Sequence, residues 1–221
     1  PTAGFLGVSA FVVERGTAGL SVDGPFEKMG LGTCAAGSVR FEECRVPTRN
    51  LLGEEGEGSA IFQHSMAWER ACLFAGYVGL MDRLLERCVA HARERRQFGR
   101  RIADFQAVSH RIADMKLRLE AARMLLYRAC FRLDRDEALP MDSALSKLAV
   151  SEAAVQAAVD ALQIFGSRGY LVSEGLEVVL RELERIFLED SGLAEARPGV
   201  RVPVSRPAHY LELLENVQVH G

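Results

Sequence analysis

The sequence lacks a basic excess, a long apolar run and a leader-like beginning, and each absence argues against a class of protein. The formal net charge is -3, whereas nucleic-acid-binding proteins need an excess of Lys and Arg to neutralise phosphates. No run approaches the roughly 18 apolar residues of a transmembrane helix, so we expect no membrane span. Residues 1–11 have neither the basic region nor the cleavage site of a signal peptide. A starting Met is also missing, which indicates processing, trimming or a fragment.

The cysteines and histidines show no metal-binding pattern. No C-x-x-C pair occurs, and the histidines lack metal-ligand spacing, so we predict no metal site. An odd number of widely spaced cysteines within helical pattern is typical of free thiols in a reducing cytoplasm. The sequence also has no Walker loop and no G-x-S-x-G motif. The five cysteines are Cys34, Cys44, Cys72, Cys88 and Cys130.

The first quarter of the chain has a β pattern. Apolar residues make up 48% of the sequence and charged residues 26%, an ordinary globular composition. Residues 8–13 and 20–22 are β-rich runs separated by glycine-containing turns, and Val39, Phe41 and Val46 continue the extended pattern. A few strands rarely bury enough surface to be stable alone. We therefore expect this β region to be the remainder of a larger sheet.

From about Gly58 the apolar period becomes helical. We predict helices over residues 58–97, 104–135, 141–165 and 173–189, packed as an antiparallel four-helix bundle. The fold class is therefore mainly α, with a bundle preceded by the end of a β-domain. The predicted divisions are residues 1–55, 56–190 and a divergent tail, 191–221. The predicted stripe of the first helix is Glu69, Leu73, Gly76, Leu80, Leu84 and Cys88, and that of the second runs from Val108 to Leu133.

Glu69 is the first candidate for chemistry, because it lies on the predicted apolar stripe. Partial desolvation there would raise its pKa towards a value useful for a general base. Structural ion pairs also occur at such positions, and periodicity alone favours a half-buried Glu69 paired with Arg70.

Two further segments leave alternatives open. The basic run 93–101 either complements the negative end of a helix dipole or clamps a diphosphate with forked guanidinium donors. The glycine-rich break 163–170 is either a helix C-cap or a place where a ligand approaches the backbone.

The end of the β region resembles acyl-CoA dehydrogenases. Residues 26–31 (Phe-Glu-Lys-Met-Gly-Leu), 39–47 and 50–58 follow the way that the β-domain of this family ends, and the resemblance covers roughly residues 5–188. It implies an N-terminal helical domain, a central β-domain and a C-terminal four-helix domain. This chain would hold only the end of the second and most of the third, so we expect it to be incomplete as an enzyme. The resemblance also implies a homotetramer that shares FAD across a subunit interface.

Two segments resemble the flavin-contacting motifs of that family. Residues 94–99 (Glu-Arg-Arg-Gln-Phe-Gly), followed by 104–106 (Asp-Phe-Gln), match the first motif, and residues 160–166 match the second. Ser167 stands where the family usually has a second Gly, which restricts close approach of the backbone. The implied FAD contacts are Arg95 on the diphosphate, Gln97 and Phe98, and, for the adenosine-diphosphate portion and in part from a neighbouring subunit, Gln106, Gln163, Gly166 and Ser167.

The resemblance also identifies a candidate base. The family removes an α-proton from an acyl thioester while a β-hydride moves to flavin N5. Most members carry the base in a tail motif, Tyr-Glu-Gly-Thr-Ser-Glu-Ile-Gln, but residues 186–192 of this chain do not match it. Branched-chain and long-chain members place the base on the first helix of the C-terminal domain, where Trp68-Glu69-Arg70 matches. This implies Glu69 as the base and Arg70 as the residue that maintains the geometry.

The implied function is a flavin-dependent dehydrogenase of acyl thioesters. Residues 66–72 are similar to dehydrogenases that oxidise aminoacyl groups such as prolyl on carrier proteins, so a carrier-bound thioester and a CoA thioester are both open. Family members typically pass electrons to an electron-transfer flavoprotein. The competing hypothesis is a non-catalytic helical fragment that retains only the oligomerisation surface.

Overall fold

The computed structural model describes residues 7–28, 33–137 and 140–181. The chain divides into two compact units, Pro1–Glu69 and Arg70–Gly221. The first unit contains short antiparallel strand pairs and most of one helix, and the second contains the helical bundle.

Four short strands form two antiparallel pairs in the first unit. Strand β1 (Ala10–Phe11) pairs with β4 (Leu51–Leu52), and β2 (Leu20–Asp23) pairs with β3 (Ser38–Phe41). The predicted runs at 8–13 and 20–22 fall on β1 and β2. On the β2–β3 pair the apolar side chains share one face, because the directly opposed residues are Leu20 with Phe41 and Val22 with Val39.

The prediction of one helix over residues 58–97 is wrong. Helix α1 ends at Cys72 (Gly58–Cys72) and helix α2 begins at Ala75 (Ala75–Glu94). The buried positions at the break are Ala71 and Phe74, whereas Leu73 is 58% exposed. Up to Leu80, therefore, the predicted stripe does not follow the buried face. The predicted positions and the buried positions are both largely apolar, so periodicity alone could not distinguish these two faces of the helix.

Helices α3 and α4 match their predicted ranges closely. Helix α3 (Gln106–Leu133) buries the predicted stripe, including Met115, Leu119 and Leu126. Helix α4 (Pro140–Phe165) begins with Pro, whose missing N–H costs nothing in a first helical turn. The face of α4 that enters the core consists largely of alanine, which lets neighbouring backbones approach closely. These small residues are Ala153, Ala154, Ala157, Ala158 and Ala161.

Two buried carboxylates on α4 bind arginines of α3. Oδ1 of Asp160 accepts a hydrogen bond from Nη1 of Arg111 at 2.5 Å, and Oδ2 accepts one from Arg118. Oδ2 of Asp142 accepts one from Nη1 of Arg132 at 2.8 Å. Early α3 thus meets late α4, and late α3 meets early α4, which makes the two helices antiparallel.

After α4 the chain forms two 3₁₀ turns, Gly166–Tyr170 and Val172–Glu174. Residues 176–181 are helical, and Leu176 is buried in the core. The predicted fourth helix, 173–189, therefore begins three residues later than expected. Its remainder and the tail, 191–221, lie outside the described residues.

By length and composition, one stretch among the described residues passes the test for a membrane span. Residues Pro140–Tyr170 have a mean hydropathy of 1.3 over their most apolar window, and 61% of that window is buried. The expectation that the chain has no membrane span is not contradicted by this stretch and stays a prediction. A core helix passes the same test, and the burial of the alanine face accounts for the apolar character.

Candidate functional site

A β-hairpin follows α2 and carries the first predicted flavin segment. Strands β5 (Arg96–Gln97) and β6 (Arg100–Arg101) are antiparallel, and the two residues between them have positive φ, 50° at Phe98 and 78° at Gly99. This backbone is the type I′ geometry that joins two strands with the correct twist. Gly99 adopts it without strain, whereas Phe98 does so against the preference of an L-residue.

The turn presents an aromatic ring and several cations to solvent. The Phe98 side chain is 92% exposed, and its ring centroid lies 6.3 Å from that of Phe105 in an edge-on arrangement. The Arg100 guanidinium carbon lies 3.9 Å from the centroid of the Phe105 ring. Arg96 and Arg101 are directly opposite each other across the hairpin, a like-charge pairing that is destabilising without an anion.

The predicted contacts Arg95, Gln97 and Gln106 are all exposed on or beside this hairpin. Arg95 caps α2, and its backbone N–H donates to the carbonyl of His91 at 2.9 Å. Gln106 is the first residue of α3. Among the described residues, Arg95, Arg96 and Arg101 form no ion pair with an Asp or Glu, so their charge is available to an anionic ligand.

The second predicted segment ends α4. Gln163, Gly166 and Ser167 are exposed, while Gly169 is buried. A Cβ at Gly169 would lie 2.9 Å from the carbonyl oxygen of Leu162. This close approach lets the 3₁₀ turn fold back on the end of α4, with Gly166 and Ser167 exposed and Phe165 buried.

A stacked pair joins the two segments. The ring of His91, near the end of α2, lies parallel to that of Phe165 at the end of α4, with 4.3 Å between centroids and 11° between planes. The guanidinium of Arg87 lies 5.5 Å from the same Phe165 ring. Arg87 also donates to the carbonyl of Glu174 at 2.8 Å, and Arg168 donates to Oε1 of Glu174 at 2.6 Å. The structure thus brings residues 95–98 and 163–167 to one end of the bundle.

Burial and neighbouring charges set the protonation of two groups in this region. Burial lowers the pKa of His91 most, and Arg168 lowers it further. Glu174 raises it by less than Arg168 lowers it, and Arg95 and Glu94 have smaller, opposite effects. Burial raises the pKa of the Cys88 thiol to about 12. Cys88 is therefore protonated at neutral pH and is an inert core thiol, since the thiolate is the nucleophilic form.

The candidate base does not have the environment expected from periodicity. Glu69 is exposed and Arg70 is only half-buried, so the described residues do not desolvate the carboxylate. Glu69 also does not line the open apolar cavity of about 530 Å³ in its own unit, which Val8, Ile61 and Phe62 help to form. The desolvation argument was wrong because it extended the stripe of α2 across the break into α1.

Sequence reasoning missed the group that connects the two segments: His91, Phe165, Arg87 and Glu174. His91 lies one helical turn before Arg95, and Phe165 directly precedes Gly166. No local pattern in the sequence pairs the two rings, because they meet only through the packing of α2 on α4.

The comparisons with known proteins agree with this architecture. Residues 56–188 match the family model described as acyl-CoA dehydrogenase, C-terminal domain. The chain belongs to the acyl-CoA dehydrogenase family. Among the members of this family, an L-prolyl-[peptidyl-carrier protein] dehydrogenase of Pseudomonas fluorescens is 57% identical over 182 residues, covering 82% of this chain and 48% of that protein.

Two further proteins resemble the chain over a similar stretch. An acyl-CoA dehydrogenase of Bacillus subtilis is 38% identical, covering 82% of this chain and 48% of that protein. A solved structure of PigA with FAD and proline has a TM-score of 0.80 and 46% identity, covering 83% of this chain and 49% of that one. The chain therefore spans about half the length of the relatives that it matches.

Proposed function

We propose that the chain is the C-terminal portion of an FAD-dependent dehydrogenase that oxidises an acyl thioester. The observation that carries this proposal is the position of two segments, 95–98 and 163–167, at one end of the bundle. Their predicted cofactor contacts are exposed, whereas Ile164 and Phe165 are buried. Both segments correspond to the flavin-contacting motifs, and they offer an exposed aromatic ring, amides and arginines without acidic partners among the described residues. This donor set suits a planar ring system joined to a diphosphate.

Each residue has a role in this proposal. Arg95 binds the diphosphate, while Gln97 and Phe98 contact the flavin portion. Gln106, Gln163, Gly166 and Ser167 hold the adenosine-diphosphate portion, in part for a neighbouring subunit. A bound FAD supplies the hydride acceptor, and Glu69 takes the α-proton while Arg70 maintains its orientation.

The substrate that we favour is a prolyl group carried as a thioester on a carrier protein. The support is the 57% identity to a relative named for that reaction, which exceeds the 38% identity to a relative named for acyl-CoA. An acyl-CoA is the second candidate. We further propose an electron-transfer flavoprotein as the electron acceptor, as the resemblance to the family implies. We also propose the cytoplasm as the location, since all five cysteines are free thiols.

The visible spectrum tests the cofactor. We expect the purified chain, or a chimera that adds the N-terminal portion of the Pseudomonas fluorescens relative, to show bands near roughly 370 and 450 nm, as oxidised flavin does. Prolyl carrier protein added to the chimera should bleach the 450 nm band, and an acyl-CoA should do so more slowly. A colourless chimera that does not take up added FAD would contradict the proposal.

A non-catalytic assembly fragment is the second candidate function. The observation in its favour is a row of exposed apolar side chains on α3, which we call the α3 stripe: Leu117, Met124, Tyr127 and Phe131. Such a row on a helix indicates a protein–protein contact, and we propose that it forms part of a homotetramer interface. If this chain self-associates while the chimera binds no flavin, the assembly hypothesis is the better one.

A further inference from the structure

We propose that His91 is a positioning residue whose neutral ring, stacked on Phe165, holds the segment 163–167 in register with the segment 95–98. This inference rests on the proposed function, because the two segments are those assigned to FAD. It assigns His91 no contact with the cofactor. Its effect passes through the backbone of its own helix and through the Phe165 ring.

The first step of the argument is connectivity. The carbonyl of His91 accepts the backbone N–H of Arg95 at 2.9 Å, so the end of α2 and the start of the hairpin move with His91. Phe165 immediately precedes Gly166 and Ser167. The parallel contact between the rings, 4.3 Å between centroids, is therefore a direct mechanical link between the two cofactor segments.

The second step is that further contacts connect α2 with Phe165 and with the turns that follow it. Arg87 lies near its ring and also binds Glu174. Arg168, in the 3₁₀ turn that follows Phe165, donates to Glu174 from both Nε and Nη2 at 3.0 and 2.6 Å. Glu174 thus ties α2 to the turns after α4, and His91 completes the connection on the side nearer the hairpin.

The third step is the charge around the ring. Three arginines face this region, Arg87 on α2, Arg95 at the α2 end and Arg168 in the 3₁₀ turn, against two carboxylates, Glu94 and Glu174. Both arginine-accepting oxygens of Glu174 are already engaged. A proton on His91 would add a fourth cation to a buried position.

One interaction favours the protonated form of His91. A protonated imidazole over a phenyl ring gains cation–π attraction. Burial is nevertheless the largest influence on His91, and Arg168 adds to it in the same direction, so the pKa of the imidazole lies below its ordinary value. The net effect therefore favours the neutral, stacked ring.

FAD titration at pH 7.5, 6.5 and 5.5 tests the proposal, with wild type, His91→Phe and His91→Gln. The wild type should lose FAD affinity as pH falls through the folded-state pKa of His91, which lies below its ordinary value, by at most about tenfold per pH unit, the limit for one proton. His91→Phe keeps an aromatic stack that cannot be protonated, so its affinity should be nearly constant. His91→Gln, without a ring, should bind several-fold more weakly at every pH. An equal pH dependence in wild type and His91→Phe would overturn the proposal.

Thermal unfolding without FAD separates this inference from the proposed function. Because the folded-state pKa of His91 lies below the unfolded value of about 6.5, its stabilising effect is present above pH 6.5 and lost as pH falls through the folded pKa. The midpoint of wild type should therefore fall more steeply than that of His91→Phe between pH 7 and 5. If no variant binds FAD, the proposed function fails, and the unfolding midpoints alone decide the role of His91. Parallel curves of midpoint against pH for wild type and His91→Phe would overturn that role.

Discussion

Phe98 has a backbone conformation that its residue type disfavours. Its φ of 50° costs an ordinary residue roughly 1–2 kcal/mol, and type I′ turns prefer Asn followed by Gly. The exposed ring recovers little of that cost by packing within this chain. Strain of this kind concentrates at ligand-binding positions, which agrees with the flavin contact proposed for Phe98.

We predict that Phe98→Asn stabilises the chain by up to about 1 kcal/mol and weakens FAD binding. Asn accepts the left-handed region more readily, and it removes the ring that the flavin would contact. Urea unfolding and FAD titration measure the two effects. Phe26→Asn, which removes an exposed ring from the first unit instead, should leave FAD affinity unchanged. A Phe98→Asn variant that is less stable and binds FAD normally would contradict this prediction.

The role of Glu69 is testable despite its exposure in this chain. We predict that Glu69→Gln in the chimera leaves FAD binding intact and lowers turnover by about 10²-fold or more, the scale of a positioned general base. Glu55→Gln makes the same chemical change at another exposed carboxylate and should turn over normally. Normal turnover of Glu69→Gln together with an inactive Glu189→Gln or Glu195→Gln would place the base in the tail.

At the scale of elements, apolar periodicity predicted helices better than it predicted their faces. It identified α3 and its buried side because apolar side chains recur there in unbroken steps of four and three from Val108 to Leu133, whereas the exposed apolar face is interrupted. It failed at Leu73 and Phe74, where two apolar faces overlap. On α4 the large apolar side chains do not mark the core face: Val159 is 42% exposed, whereas Ala157 and Ala161 are buried, and alanine carries little hydrophobic signal.

The candidate site was predictable only as segments of sequence. The motifs located Arg95, Gln97 and Gln163, since these residues occur in a fixed local order. The stack of His91 on Phe165 depends on how α2 packs against α4, and the burial of Asp160 depends on two arginines of α3. Contacts between distant parts of a chain leave no local periodicity, so sequence inspection could not find them.

Asp160 provides a prediction about the α3–α4 contact. Its carboxylate is 2% exposed and is shared by Arg111, Arg118 and Gln156. We expect Asp160→Asn to lower the free energy of unfolding by about 2–4 kcal/mol, because it leaves two arginines without their anion. Asp82→Asn breaks a more exposed pair with Arg123 and should cost less than about 1 kcal/mol. Equal losses in urea unfolding would show that burial does not set the strength of these pairs.

At the scale of the whole molecule, α3 has two apolar faces, one buried and one exposed. Its inner side packs on α2 and α4, while the α3 stripe faces outward, with Met124 65% exposed and the other three members more than half exposed. The spacing of these residues, at seven, three and four positions, keeps them on one side of the helix. Glu120 lies on this same side of the helix, between Leu117 and Met124, and pairs with Lys116 at 2.5 Å. The uninterrupted apolar part of the stripe is therefore Met124, Tyr127 and Phe131.

We predict that the α3 stripe mediates self-association, and that Met124→Glu shifts the protein towards the monomer. A charge at the centre of an apolar contact must be desolvated without a partner, which commonly costs several kcal/mol, whereas the exposed helix tolerates Glu in the monomer. Sedimentation velocity at micromolar concentration measures the distribution, and circular dichroism checks that the helices persist. Ala90→Glu adds the same charge to the exposed side of α2 and should leave the assembly unchanged. A clean monomer for the wild type, or equal association of wild type and Met124→Glu, would exclude the α3 stripe as the interface.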